Sequence, residues 1–113
     1  MAVLLVVTNL PDRAAAEQLA AALVDQRLAA CVNILAPCRS VYRWQGEVET
    51  AEEVPVLIKS TDQRYAEVER AIRAAHPYAT PEIIAVPVTH GLPEYLQWVA
   101  MEMQTRDEDQ PSS

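Results

Sequence analysis

Hydrophobic side chains run without a break from Val3 to Val7, all of them β-branched or leucine, which is the pattern of a strand covered on both faces. A turn at Asn9-Leu10-Pro11 follows, and Asp12 then stands where a helix N-cap belongs. Ala15, Leu19, Ala22, Leu23 and Leu28 recur at helical spacing and predict a helix over 13–28. Cys31 to Leu35 predicts a second strand, interrupted at Pro37 and resumed over Ser40 to Trp44. Gln45-Gly46 predicts a tight turn, with the glycine supplying a positive φ. Glu47 to Ser60 returns as a third strand, and Pro55 inside it marks an edge or a bulge, because proline cannot donate to a ladder.

Thr61-Asp62 is a second cap signal. Tyr65, Val68, Ile72 and Ala75 share one face of the helix that follows, and this helix should stop at His76, since the residue before Pro77 is pushed out of the α region. Glu82 to Thr89 predicts a fourth strand, again apolar on both sides, with Pro87 pointing to an edge. Pro93 opens a last helix whose apolar face is Leu92, Tyr95, Leu96 and Val99. From Thr105 the chain is acidic and has no hydrophobic residue. That pattern predicts one domain over 1–104 and a disordered tail over 105–113.

The order β-α-β-β-α-β, with right-handed crossovers, puts both crossover helices on one face of a four-stranded sheet. The other face is left bare, yet the first and last strands are apolar on both sides. A soluble monomer avoids so large an apolar patch. Self-association of sheets covers it most economically, and a C-terminal helix folded back over the sheet is the rival.

Net charge is −7, which argues against a nucleic-acid partner, since that partner requires an excess of Lys and Arg. No apolar stretch approaches a membrane helix, and no signal peptide is visible. Cys31 and Cys38 are the only cysteines and lack CxxC spacing, which fits reduced thiols in the cytoplasm. Phe is absent and only 5% of residues are aromatic, so the core is aliphatic.

Five stretches carry a resemblance. They are Ala29-Ala30-Cys31-Val32-Asn33; Ser40 to Glu49 with Tyr42, Trp44 and Gly46; Leu57-Ile58-Lys59-Ser60-Thr61; His76-Pro77-Tyr78-Ala79-Thr80-Pro81-Glu82-Ile83; and Gly91 through Tyr95, Leu96 and Trp98. In this order they resemble the CutA divalent-cation tolerance family. The resemblance implies an α+β, ferredoxin-like fold with an extra C-terminal helix, assembled as a homotrimer with strand edges extended across subunits. It further implies a cytoplasmic protein tied to tolerance of divalent metals, copper above all, with no catalytic reaction, so the chain is not expected to be an enzyme. The fold also resembles the P-II signal proteins, trimers that bind small effectors between subunits.

Copper favours His nitrogen and Cys sulfur, which makes His76 and Cys31 the candidate metal ligands. Val7 and Ala75 stand where some relatives carry a cysteine and the first of two histidines, so of that set only His76 carries over. Lys59, Tyr78, Glu82 and Trp98 are the candidates for a ligand pocket at a subunit interface. Tyr42 and Trp44 alternate on one strand face and are the candidate trimer contacts, because aromatic residues anchor interfaces. Glu47, Glu49 and Glu53 share a strand face but are spread by ~7 Å steps, which suits a solvated face better than a cation site. Gly46 and Gly91 are the only glycines, so there is no phosphate cradle. The expected role is therefore a metal-binding or metal-responsive trimer. A P-II-like effector module and a purely structural or partner-binding trimer are the alternatives.

Overall fold

The computed structural model describes residues 2–104, and the predicted tail lies outside them. The elements run β1 (Val3–Leu10), α1 (Arg13–Asp25), β2 (Cys31–Ile34), β3 (Cys38–Trp44), β4 (Glu47–Thr61), α2 (Tyr65–Ala75), β5 (Ile83–Pro87) and α3 (Pro93–Glu102). All pairings are antiparallel, in the order β2-β4-β1-β5, with β3 pairing the first half of β4. With β2 and β3 counted as one interrupted strand, each crossover helix joins strands separated by one other. That is the ferredoxin-like α+β arrangement.

The interruption is a bulge. Ile34 pairs Val56 and Cys38 pairs Glu53, so Leu35, Ala36 and Pro37 face only Val54 and Pro55. β4 is a central strand, which removes the edge reading of Pro55; its missing N–H falls opposite the bulge instead. Pro87 does lie on an edge, because β5 is the last strand of the sheet. β5 is shorter than predicted, ending at Pro87 rather than Thr89.

Asp12 caps α1 as expected, its carboxylate accepting from the Ala15 N–H at 2.8 Å. The helix ends at Asp25, short of the predicted 28. Arg27 takes φ 57°, and the Leu28 N–H reaches back to the Leu23 carbonyl at 2.9 Å. This left-handed stop returns Leu28 to the core although it lies outside the helix. Thr61 makes no side-chain cap for the next helix. Asp62 instead ties down the chain start, accepting from the Ala2 N–H at 3.1 Å and donating its own N–H to the Ala2 carbonyl. A 3₁₀ turn over Asp62–Arg64 then leads into α2. α2 gives way at His76, whose backbone is extended (φ −86°, ψ 133°) before Pro77.

The core lies on one sheet face. Val6, Leu10, Val56 and Ile58 meet Leu19 and Leu23 of α1 and Val68 and Ile72 of α2. Strand alternation turns Leu5, Val7, Leu57, Ile84 and Val86 to the opposite face. There α3 seats Leu96, Val99 and Met103 on Val3, Ala30 and Val88. It covers only one end, and Leu92, predicted to face inward, stays exposed. Beyond Val54 the β3–β4 ribbon has no further strand beside it among the described residues, which measure 58 × 28 × 23 Å. Val41 is 67% and Val48 64% exposed on this arm. A two-stranded ribbon alone is marginal in water, so the arm calls for a partner surface.

Candidate functional site

The arm turns through Gln45 and Gly46, both at positive φ (50° and 83°), the geometry of a two-residue hairpin turn that matches strand twist. Its ladder pairs Tyr42 with Glu49 and Cys38 with Glu53. Cross-strand partners share a face, so Ser40, Tyr42, Trp44, Glu49 and Glu53 look the same way. They face the loop after α2, and between them lies an open cleft of about 680 Å³ completed by Tyr78, Ala79, Thr80 and Glu82. The proposed interface residues Tyr42 and Trp44 and the proposed pocket residues Tyr78 and Glu82 thus line one cavity.

Two hydrogen bonds from the end of β1 hold the loop. The Asn9 side-chain amide donates to Glu82 Oε1 at 3.0 Å. The Asn9 carbonyl lies 2.5 Å from Nε2 of His76, which is buried. His76 Nδ1 lies 3.2 Å from the Tyr78 backbone nitrogen. An N–H cannot meet another donor, so Nδ1 is the acceptor and Nε2 carries the proton. The His76 and Tyr78 rings pack with centroids 4.6 Å apart. Burial pushes the Tyr78 phenol above its ordinary value of 10.0, with the Glu53 carboxylate and Tyr42 adding to it.

The metal candidates do not come together within one subunit. Both ring nitrogens of His76 are engaged by backbone groups. Cys31 pairs across from Lys59, and Lys59 from Leu5, four residues along β1 from Asn9. That is a separation of roughly 13 Å along the strand. Among the described residues no group of three His, Cys, Asp or Glu side chains converges on a point that could hold a metal ion. The residues present therefore do not form a copper site inside one chain.

Lys59 and Trp98 also lie away from the cleft. The Lys59 ammonium donates to Asn33 Oδ1 on the open sheet face. Trp98 packs against Tyr95 on α3, with ring centroids 5.7 Å apart. Burial raises the Tyr95 phenol, and the Cys31 thiol beside it adds to the rise. Cys31 and Cys38 are both free and half-buried. The pocket residues expected together thus divide into two groups at opposite ends of the open face. Sequence reasoning missed Asn9 as the residue that anchors the loop. Its only signal was a polar side chain at the end of an apolar strand.

Residues 4–102 match the family described as CutA1 divalent ion tolerance protein. The chain belongs to this family. Among its relatives, the divalent-cation tolerance protein CutA of Thermus thermophilus is 44% identical over 94 residues, covering 83% of this chain and 91% of that one. The crystal structure of CutA from Xylella fastidiosa superposes with a TM-score of 0.89 at 43% identity, covering 92% of this chain and all of that one. The Archaeoglobus fulgidus structure, described as a periplasmic divalent cation tolerance protein CutA, gives a TM-score of 0.87 at 35% identity, covering 90% of this chain and 99% of that one. The Thermus and Archaeoglobus relatives are named for divalent-cation tolerance rather than for a reaction. No described helix of this member is long and apolar enough to cross a membrane.

Proposed function

We propose that this CutA member serves divalent-cation tolerance as a metal-responsive homotrimer without catalytic activity. One observation carries the assembly. The sheet face bearing Leu5, Val7, Leu57, Ile84 and Val86 is covered only at one end, and the sheet continues into a two-stranded arm that exposes Val41 and Val48 on its other face. Packing against identical copies buries both at once. Three copies is the number the family resemblance implies. Copper ligation, in this reading, needs ligands from more than one subunit and the release of His76 from one of its two backbone partners, because His76 and Cys31 do not meet within one chain.

Light scattering with a copper titration of the reduced protein, His76→Ala alongside, tests the reading. The expected result is a mass of three chains and saturable uptake at one ion per chain or one per trimer, lost in the variant. A monomer overturns the assembly. Weak, unsaturable uptake unchanged by the variant overturns the metal response. The free thiols support a reducing, cytoplasmic location, which fractionation of the native host checks against the periplasmic description of the Archaeoglobus relative.

The cleft favours a second reading, a P-II-like module that binds a small effector. Its volume of about 680 Å³ falls in the range of small-molecule sites, and it mixes aromatic rings with a few polar groups. A rise in melting temperature with ligand would separate either reading from a purely structural trimer.

A further inference from the structure

Charge is laid out unevenly along one face of β4. Strand alternation puts Glu47, Glu49, Glu53, Leu57 and Lys59 on the open side of the sheet. The face therefore carries carboxylates on the arm, an apolar middle and an ammonium at the far end. Lys59 is the one basic residue that a strand places on this face among the described residues. Arg39 and Arg43 alternate onto the other face of the arm, and the other described arginines lie on α1 and α2 or at their ends.

Neither end is neutralised inside one chain. The Lys59 ammonium donates to the neutral amide oxygen of Asn33. Glu49, Glu53 and Glu82 line the cleft, and none of its lining residues is basic. Six residues of extended strand, roughly 20 Å, separate Lys59 from Glu53, and Glu49 is farther still. No side chain spans that gap. Water screens these charges on an isolated chain. Covering the face removes the water, and a charge enclosed without a counter-charge is heavily penalised. Whatever covers this face must therefore bring carboxylates to one end and a cation to the other.

A second copy of this chain meets that demand. A ring of identical copies has head-to-tail interfaces, in which one end of a surface meets the opposite end of the same surface on its neighbour. A face negative at one end and positive at the other complements itself in that arrangement, and wrong registers set like charges together. We infer that in the assembled protein Lys59 of each copy enters the acidic cleft of the next copy and pairs with Glu49 and Glu53 on that copy's arm. This rests on the homotrimer reading and names the residues that set the direction of the ring. Glu82 already accepts from the Asn9 amide, which leaves the two arm carboxylates for the incoming ammonium. The cleft is thus half of a site, and its cation comes from the neighbour.

Light scattering of the full-length chain over a dilution series, with urea added where the parent does not dissociate in buffer, gives the concentration of half-dissociation. Two charge-reversed proteins, Lys59→Glu and Glu49→Lys with Glu53→Lys, should each dissociate at concentrations about tenfold or more above the parent's. Mixed in equal amounts they should reassociate, because two of the three interfaces of a mixed ring then match. A reversed charge can also unfold a chain, so a neutral set decides independently: Lys59→Gln, Glu49→Gln with Glu53→Gln, and all three changes together. Sites some 20 Å apart within one chain perturb additively unless they touch across an interface. The combined protein is expected to dissociate at a concentration about threefold or more below the product of the two separate fold-changes. Fold-changes that simply multiply, or folded charge-reversed proteins that stay dissociated on mixing, overturn the pairing and leave a trimeric parent standing. A parent that is monomeric throughout overturns the assembly and the pairing together.

Discussion

His76 donates its Nε2 proton to the carbonyl oxygen of Asn9 at 2.5 Å, fastening the end of α2 to the end of β1. The same ring accepts from the Tyr78 N–H and packs against the Tyr78 ring. A histidine that reads in sequence as a metal ligand is in this fold a structural fastener for one wall of the cleft. His76→Ala should leave the Asn9 carbonyl unsatisfied and cost about 1–3 kcal/mol in metal-free denaturant melts. A variant as stable as the parent would show that the fastener carries no stability.

Val86→Glu would set a carboxylate beside Leu5 on the open sheet face. Because an unpaired charge cannot be buried without a large penalty, this change should shift the assembly toward monomer in light scattering. Gln18→Glu, on the exposed face of α1, should leave the mass unchanged. Equal behaviour of the two variants would remove the open face from the assembly.

Ile72 is wholly buried between α2 and the sheet, so Ile72→Ala should cost about 2–5 kcal/mol. Asp12→Ala removes only the cap of α1 and should cost about 1 kcal/mol. Chemical denaturation of the pair orders them, and a cap that costs more than the core residue would contradict the packing described above.

Three phenols are raised in the folded protein: Tyr65, by burial and the Glu69 carboxylate that it donates to; Tyr78; and Tyr95. A raised folded value means that the native state keeps its proton longer than the unfolded chain. The stability tied to these phenols is complete below pH 10.0 and is lost as pH climbs through the folded values. Absorbance titration should show phenolate appearing later in native than in denatured protein, with melting temperature falling above pH 10.0. Coincident titration curves would refute the desolvation and carboxylate contacts assigned to these hydroxyls.

The strands, both crossover helices and the last helix were legible because each rests on local order. Val3 to Val7, the Asp12 cap, the stop before Pro77 and Pro93 at N1 are written in adjacent residues. Errors fell where distant partners decide. Arg27 ends α1 early because Leu28 finds the core from outside the helix, and Asp62 serves the chain start rather than a cap. Pro55 sits in a central strand because a bulge some twenty residues upstream absorbs its missing donor.

Alternation along single strands is a property of the sequence, and by itself it determined the ferredoxin-like order, the aliphatic core and the surplus apolar face. The cleft depends on register and on loop geometry, which no local pattern encodes. Only the pairing of Tyr42 with Glu49 brings aromatic rings and carboxylates onto one side of the arm, and only the Asn9 contacts fold Tyr78 and Glu82 across from them. Tertiary structure also parted His76 from Cys31. Cys31 opens β2 and His76 closes α2, and the antiparallel register of β1 and β4 sets the two toward opposite ends of the sheet.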